Sequence, residues 1–314
     1  MMRGRFCLKT FLLILQSATS LIFGDDRRRL PENIVFIVHM DNEYYAKNGG
    51  SPPADRNAYL PLIDAVKTYK PKILFLGINF ARQPLASELM FASQANKDNR
   101  LILPFTFSSD KYEENFEMNR KNLYHRIAAI ELPTDVLPEP MKGIILPYPD
   151  IVAKSLQTCA SAIYPDEDRI VRSFYGYFFY KNYAFLPASL CILQHYLRDM
   201  RWELALSGNF EELKLIHRRN GKATFKKKIA GLMKGDQEVP IPIVFQKLQI
   251  VSAQAVLEKK VKIPEGRIIL VGPTADGVAD WSHTPVGLLP NIDVLGHEVN
   301  TLWQMIKNDI PREK

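Results

Sequence analysis

Residues 266–302 concentrate side chains that can do chemistry. The stretch begins as an apolar run typical of a buried strand and ends with the spacing of a helix, and Asp276, Asp280 and His283 lie between them. Carboxylates and imidazoles bind cations, accept hydrogen bonds and exchange protons, so this loop is the first candidate for a site. Gly272 is expected to let the chain turn sharply away from the end of the strand.

A second group of polar residues follows the first apolar strand. Asp41 closes the run 33–41, and Glu43 and Arg56 come after it. In open parallel sheets, ligands bind beyond the carboxyl ends of the strands. If the first and last strands are neighbours, Asp41 and Asp280 approach each other on one rim. Asp41 can equally cap a turn, and Arg56 is expected either to pair with Asp41 or Glu43 or to be solvated.

Several of these residues also have structural explanations. Asp280 can hold its own loop closed, the Thr284–Pro285 pair is expected to set loop geometry, and His283 is expected to be solvated rather than to bind a metal. The chain has no P-loop and no nucleophile elbow, and the sequence after His297 lacks the second histidine of a zinc protease motif. We therefore expect no catalytic residue, no metal and no cofactor.

Apolar runs alternate with helical patterns along the chain. Strands are predicted at 33–41, 72–80, 100–107 and 267–272. Helices are predicted at 54–71, 85–98, 150–164, 188–200 and 295–307. This order predicts an α/β fold, with a doubly wound, mostly parallel sheet flanked by helices and with inserted β-hairpin and helical elements. The aromatic run 174–180 is expected to pack in a sheet rather than to stack on nucleotide bases.

The N-terminus is typical of an exported protein. Residues 1–24 hold three basic residues, no acidic residue and a short apolar run, with small residues at 18–20. We expect residues 1–24 to be a cleaved signal peptide, with an uncleaved membrane anchor as the alternative. Residues 25–314 are expected to form one domain.

Charge and cysteine content narrow the class of protein further. The formal net charge is +7, which falls to +4 without the first 24 residues, and no nucleic-acid-binding motif accompanies it. The basic stretch 222–234 is expected to be a solvated loop face, with contact to an anionic surface as the alternative. Cys159 and Cys191 are expected to be packed thiols, or a disulfide in an oxidising compartment.

Three groups of residues, in this order, resemble the type 2 CHASE domain, an extracytoplasmic sensory module of bacterial signalling proteins. The resemblance covers roughly residues 33–302. The residues that carry it are Asp41, Glu43, Gly50, Pro52, Pro53 and Arg56 near the first strand, Asp166, Asp168 and Arg172 in the middle, and Gly272, Gly277, Asp280, Thr284 and Pro285 near the end.

The sequence also departs from the pattern of that family. Gly77 stands where the family has an aspartate at the end of its second strand, Ser51 replaces a tryptophan, and Arg169 replaces a glycine. The closing helix has Leu-Gly-His at 295–297 where the family usually has His-Ala-Asn. The chain ends at Lys314, where family members commonly continue into membrane helices and an output domain. The resemblance is therefore to a divergent, stand-alone member.

This resemblance implies an exported, non-catalytic sensory domain that lacks its own output domain. Its partner is expected to be an unknown small ligand, a membrane-bound signalling protein, or both; no nucleic acid is expected, and the N-terminal segment allows membrane association. The expected ligand-binding residues are Asp41, Glu43, Arg56, Asp276, Asp280 and Thr284.

Two other functions are considered. One is an exported metal-dependent hydrolase that uses Asp41, Asp276 and Asp280 as oxygen ligands. The other is a degenerate sensor fold that serves as a protein-interaction module.

Overall fold

The computed structural model describes residues 30–50, 52, 55–88, 90–123, 125–131, 141–206, 212–219, 221–228 and 240–310. The predicted leader at 1–24, together with Ser51 and Pro53, lies outside these ranges. The chain divides into two units, 1–32 and 33–314, and the second unit holds the elements below. In the described ranges, no helix has the length and apolar character needed to cross a bilayer.

The strands and helices of the described residues follow in chain order. The strands are β1 Val35–Met40, β2 Ile73–Leu76, β3 Leu101–Ser108, β4 Glu113–Glu114, β5 Ala129–Glu131, β6 Gly143–Ile145, β7 Gln157–Ala160, β8 Ser173–Phe174, β9 Phe178–Tyr180, β10 Tyr183–Phe185, β11 Trp202–Leu206, β12 Glu212–His217, β13 Ala223–Lys228, β14 Ile241–Pro242, β15 Gln249–Ser252, β16 Ile268–Pro273, β17 Trp281–Thr284 and β18 Gly287–Pro290. The α-helices are α1 Asn42–Lys47, α2 Leu60–Lys67, α3 Phe91–Ala95, α4 Pro149–Lys154, α5 Ala188–Arg198, α6 Ala253–Leu257 and α7 Asn291–Ile306. Short 3₁₀-helices are Arg56–Tyr59, Ala86–Glu88, Glu117–Asn122 and Lys307–Asp309.

An eight-stranded, mostly parallel sheet forms the centre of the fold. Its order is β15-β1-β16-β2-β3-β6-β4, and β7 also pairs with β3. The pairs β15–β1, β1–β16, β16–β2, β2–β3 and β3–β7 are parallel. Strands buried on both faces show near-continuous apolar runs. The strands predicted at 33–41, 100–107 and 267–272 are confirmed as β1, β3 and β16, whereas the strand predicted at 72–80 is confirmed only in part, because β2 ends at Leu76.

Helices cover both faces of this sheet. On one face, α1, α2, α3, α4 and α6 contact one another, and alternate strand residues such as Val38, Leu74 and Val271 pack in the core beneath them. On the other face, α5 and α7 pack together and against the sheet. The predicted doubly wound α/β architecture is confirmed.

Small antiparallel sheets are added to this framework. They are β5-β10-β9, β11-β12-β13, β14-β8 and the hairpin β17–β18. Phe178, Phe179 and Tyr180 of β9 are buried in the first of these sheets, as expected for packing aromatics. The basic stretch from Lys222 onward was expected to be a loop; its described part instead forms β13, because alternate residues such as Phe225 pack inward against β12.

Two further expectations are corrected by the structure. The helix predicted at 150–164 ends at Lys154, because the chain becomes extended at Ser155 and β7 then pairs in parallel with β3. Gly272 does not turn the chain, because it lies within β16. An added Cβ at Gly272 would meet Ile292 of α7 at 2.8 Å, so the glycine permits close packing of helix on strand.

A disulfide joins β7 to α5. Cys159 and Cys191 are bonded, with their Cα atoms 6.4 Å apart, so the expectation of two packed thiols was wrong and the disulfide alternative holds. Both residues are buried. The bridge fastens a helix on one face of the sheet to a strand that pairs with β3.

We expect the double variant Cys159→Ala/Cys191→Ala to lower the free energy of unfolding by about 3 to 4 kcal/mol, because the unfolded chain is no longer closed across 32 residues. Urea denaturation measures this loss. Wild-type protein under reducing conditions keeps both sulfur atoms and should show a similar loss, which separates the bridge from any cavity. A double variant that unfolds at the same urea concentration as the oxidised wild type would contradict the assignment.

Candidate functional site

The carboxyl ends of β1 and β16 form one edge of the sheet. The two strands pair over their whole length, and Met40 lies opposite Pro273 at the end. The backbone N–H of Thr274 donates to the carbonyl of Met40 at 3.0 Å. The first and last core strands are therefore neighbours, as the sequence-based hypothesis required.

Asp41 and Asp276 take different parts at this edge. Asp41 caps α1, because its carboxylate accepts from the N–H of Tyr44 at 2.8 Å. Asn42 binds Asp276 reciprocally: its side-chain amide donates to the carboxylate at 3.0 Å, and its side-chain oxygen accepts from the Asp276 N–H at 3.0 Å. The side chain that joins the loop after β1 to the loop after β16 is therefore Asn42, which binds Asp276. Asp280 has an exposed side chain, and its carbonyl accepts from the N–H of Asn291 at 2.8 Å.

Glu43 lies on the exposed side of α1. Its carboxylate accepts from Lys47 at 2.8 Å, one turn along the helix. Lys47 also contacts Glu258 at 3.1 Å. Exposed pairs of this kind contribute little to stability, and they give Glu43 a local partner.

Arg56 is buried in an ion pair that the sequence did not predict. Its guanidinium donates to Glu88 at 2.7 Å, and its backbone N–H donates to the same carboxylate at 2.7 Å. Arg82 and the N–H of Leu85 also bind Glu88. The expected pairing of Arg56 with Asp41 or Glu43 was therefore wrong, because the carboxylate that neutralises it comes from the 3₁₀-helix Ala86–Glu88.

The four donors control the ionisation of Glu88. Burial alone pushes the pKa of this carboxyl upward, but the N–H groups of Arg56 and Leu85, followed by the charges of Arg56 and Arg82, hold it below its ordinary value. Glu88 therefore stays ionised inside the protein. The cluster fastens the segment after α1 to the segment after β2, which is a structural role.

Thr284 closes the turn between β17 and β18. Its hydroxyl donates to the carbonyl of Gly287 at 2.7 Å and accepts from the N–H of Val286 at 3.3 Å. The expectation that Thr284 and Pro285 set loop geometry is confirmed. The sequence suggested a loop between the strand predicted at 267–272 and the helix predicted at 295–307, but Trp281, Ser282, His283 and Thr284 form a strand paired with β18.

The hairpin β17–β18 meets residues 166–172, which we call the acidic turn. The N–H of Val171 donates to the carbonyl of His283 at 2.8 Å. Arg172 holds the turn together by donating to Asp168 at 2.9 and 2.7 Å and to Asp166 at 3.0 Å. Two of the three segments that carry the family resemblance are thus in direct contact.

An open groove lies between the acidic turn and the hairpin. Its volume is about 370 Å³. The lining residues are Asp168, Arg169, Ile170, His283, Thr284, Gly287 and Leu288. Two of these residues, Ile170 and Leu288, are apolar and four are charged or polar. The groove is therefore more polar than most small-molecule sites, and its volume lies within their usual range.

A buried acid–imidazole pair lies under the same edge. His39 Nε2 of β1 is 2.7 Å from Asp293 Oδ1 of α7, and Asp293 is buried. Sequence analysis missed this pair because His39 lies within an apolar strand and Asp293 in the first turn of a helix. The only indication in the sequence was that His39 and Asp293 are polar residues at positions where a buried side chain was expected.

The same helix carries a buried carboxyl group. Glu298 is 4% exposed, and burial raises its pKa to about 8, opposed by the hydroxyl of Ser189 on α5. The carboxyl is therefore neutral in the folded protein below about pH 8. This group faces the α5–α7 layer, away from the groove.

Comparison with known proteins identifies the family. The CHASE2 domain profile matches residues 6–313, essentially the whole chain. The chain belongs to the CHASE2 domain family. No match was found among curated proteins or among solved structures. CHASE2 domains are extracytoplasmic sensory domains and are generally non-catalytic. The Cys159–Cys191 disulfide is consistent with that compartment.

The structure shows the surroundings of the residues that depart from the CHASE2 pattern. Arg169 has a φ of 65°, the left-handed conformation that glycine adopts without strain. Gly77 faces Val271 O and Ile292, so an added Cβ would lie 3.2 and 3.3 Å from them. Leu295 and His297 are buried within α7. The altered residues of the closing helix therefore belong to the packed interior.

The structure lends no support to the hydrolase hypothesis. Within the ranges described above, no group of three or more His, Cys, Asp or Glu side chains is placed to hold a metal ion. Asp41 caps a helix and Asp276 binds Asn42, so two of the three suggested ligands have structural partners.

We expect Glu88→Gln to lower the free energy of unfolding by about 3 kcal/mol, because it leaves the Arg56 guanidinium buried without a compensating charge. Urea denaturation near neutral pH measures the loss. Arg82→Gln removes a half-exposed partner of the same carboxylate and should cost about 1 kcal/mol or less. Equal losses in the two variants would contradict the description of a buried pair.

We expect Glu298→Gln to stabilise the protein increasingly as the pH rises from about 4.5 to about 8. The folded-state pKa is raised to about 8 from an ordinary 4.5, so the wild type loses stability across this window as the unfolded state releases a proton that the folded state keeps. Glutamine does not titrate. Melting temperatures measured at several pH values give the difference between variant and wild type.

Glu43→Gln removes an exposed carboxyl and serves as the control. It should leave the pH dependence of the melting temperature unchanged. A difference between Glu298→Gln and wild type that is constant across the window would show that Glu298 is not held neutral in the folded state.

Proposed function

We propose that this CHASE2 domain is an exported, non-catalytic sensor that binds a small anionic ligand in the groove between the acidic turn and the hairpin. The observation that carries the proposal is the meeting of these two segments, joined by the Val171–His283 hydrogen bond, around a cavity of about 370 Å³. Membership of the CHASE2 family supports a sensory function, and the groove is the ligand-binding site that we propose for it.

The charges of the groove favour an anionic group on the ligand. Both oxygens of Asp168 accept hydrogen bonds from Arg172, so that carboxylate is neutralised within the acidic turn. Arg169 lines the groove and forms no ion pair with any residue in the described ranges. A carboxylate or phosphate on the ligand would therefore meet an arginine that is free to bind it.

The remaining lining defines the rest of the ligand. Ile170 and Leu288 offer apolar surface, and Leu288 is 52% exposed. His283 adds an imidazole, whereas the Thr284 hydroxyl is already used in the turn. Among the residues predicted as ligand-binding, Thr284 lines this groove, and Asp41 and Asp276 lie at the edge between β1 and β16. A small molecule with one anionic group and a short apolar part fits these contacts.

A second candidate is contact with a membrane-bound signalling protein through the hairpin. Trp281 and Val286 are 42% and 60% exposed on β17 and its turn. Exposed aromatic side chains are enriched in protein interfaces, and Trp281 is such a residue at the base of the hairpin. This alternative uses the hairpin without requiring the groove.

We expect a thermal-shift screen of small carboxylates and phosphates to yield compounds that raise the melting temperature of the wild type. Arg169→Gln and Leu288→Ala should abolish those shifts, because each removes a group that lines the groove. Val286→Ala, on the same hairpin but outside the lining, should retain them. Shifts that persist in both groove variants, or no stabilising compound at all, would contradict the proposal.

The same variants distinguish the second candidate. If ligand binding is absent and Trp281→Ala abolishes co-purification of a membrane protein, the hairpin serves as a docking site instead. If Trp281→Ala changes neither measurement, that candidate is excluded.

A further inference from the structure

Residues 201–228, which include the sheet β11-β12-β13, carry a larger positive charge than residues 25–314 do as a whole. Residues 201–228 hold eight basic and three acidic residues, a net charge of +5. Residues 25–314 together have a net charge of +4, so the remainder is balanced to within one charge. A charge asymmetry this local is a property of one surface rather than of the whole protein.

The two faces of this sheet differ in chemistry. Leu204, Leu213 and Leu215 are buried on the inner face, and β11 packs against α5, where Gln194 donates to the carbonyl of Leu204 at 3.3 Å. The alternate residues point outward. Among them, Lys214 lies directly opposite Lys226 across the β12–β13 ladder. The outer face also carries Glu203 and Glu212, so cations and carboxylates alternate on the strands, and the excess of cations lies at one end of the sheet.

The opposed lysines are unfavourable for the sheet alone. Like charges directly opposite each other on one face destabilise an antiparallel pair. Glu212 lies 3.4 Å from Lys214 and offsets part of this repulsion. Lys226 is exposed and makes no ion pair with any residue in the described part of the chain. An external anion would remove the remaining repulsion.

One end of the same sheet adds further cations. The turn between β12 and β13 carries Arg218, Arg219 and Lys222, and the N–H of Arg218 donates to the carbonyl of Arg201 at 2.9 Å beside it. All four side chains are exposed. Arg218 lies 3.9 Å from Glu203, and Arg219 has no such partner among the described residues. The cations are thus spread along a face and its end.

We propose that the cationic end of β11-β12-β13, together with Lys226 on the adjoining outer face, docks on an anionic phospholipid surface. A spread of cations matches a plane of headgroups, because each lysine or arginine near such a surface contributes separately to binding. The extracytoplasmic location of CHASE2 domains removes nucleic acid as the partner. Docking would fix which side of the domain faces the bilayer, whatever ligand the groove binds.

The test measures binding of the full chain to vesicles. Phosphatidylcholine vesicles with and without phosphatidylglycerol are compared by sedimentation at low and high salt. Residues 1–24 are present in every sample. Their apolar part can bind phosphatidylcholine, and their three cations add binding that depends on phosphatidylglycerol and is the same in the variants below. We expect tighter binding of the wild type when phosphatidylglycerol is present, and loss of that difference at high salt.

A matched pair of variants locates the surface. Arg219→Gln/Lys226→Gln should weaken the phosphatidylglycerol-dependent binding about 25-fold, at about fivefold for each cation removed. Lys97→Gln/Lys154→Gln removes two exposed lysines near α3 and α4 and should change it by less than about twofold. Equal melting temperatures show that both variants are folded.

Three outcomes would overturn the proposal. One is equal binding of the wild type to the two kinds of vesicle. Another is equal weakening in both double variants, which would assign the effect to net charge alone. The third is unchanged binding of Arg219→Gln/Lys226→Gln, as expected if an acidic protein rather than lipid is the partner of this face.

Discussion

The parallel pairing of β1 with β16 is the constraint on which the rest of the molecule depends. It brings together segments far apart in the chain, and its ends are tied by the contact between Asn42 and Asp276, which are 234 positions apart. Because both strands are parallel and buried, their carboxyl ends reach the same edge, where ligand-binding loops of α/β sheets lie. The hairpin and α7 follow directly from that edge.

Close packing on β16 sets the position of α7. Gly272 has no side chain, so Ile292 lies directly on its backbone, and His39 and Asp293 form their buried contact beside it. A larger residue at Gly272 would separate helix and strand, because packed interiors have little room for an added methyl group. The same glycine therefore governs both the packing and the polar pair.

The sequence predicted the elements whose environment is uniform. β1, β2, β3 and β16 are buried on both faces, so their apolar runs were visible without knowledge of their neighbours. The family resemblance also indicated a position with an unusual backbone conformation. Arg169 stands where the family has a glycine, and its φ is 65°, a left-handed conformation that glycine adopts without strain. The local sequence was therefore sufficient to predict the four buried strands and the unusual backbone position of Arg169.

The sequence failed where a partner is chosen in three dimensions. Arg56 binds Glu88, 32 residues away, and no periodicity indicates which of several carboxylates will be buried beside it. β13 is rich in lysine and resembled a solvated loop, because only pairing with β12 shows that alternate residues point inward. The strands of the hairpin have four residues each, too few for alternation to be recognised.

The arrangement of the groove constrains how a bound ligand can act. The acidic turn is held by Arg172, whereas the hairpin is a two-stranded ribbon, which has little stability of its own. The hairpin is held by the Val171–His283 hydrogen bond on one side. At its base, the N–H of Asn291 donates to the carbonyl of Asp280, and the hydroxyl of Ser282 donates to Asn291 Oδ1 at 2.7 Å. A ligand shifts a conformational equilibrium only by the difference in its affinity for the two states. A ligand that touches both segments favours the state in which they are joined, and α7 is already fixed by Ile292 and by the His39–Asp293 pair. If a ligand binds in the groove as we propose, the hairpin is the element whose position it would change, because a two-stranded ribbon has little stability of its own whereas α7 is packed on β16.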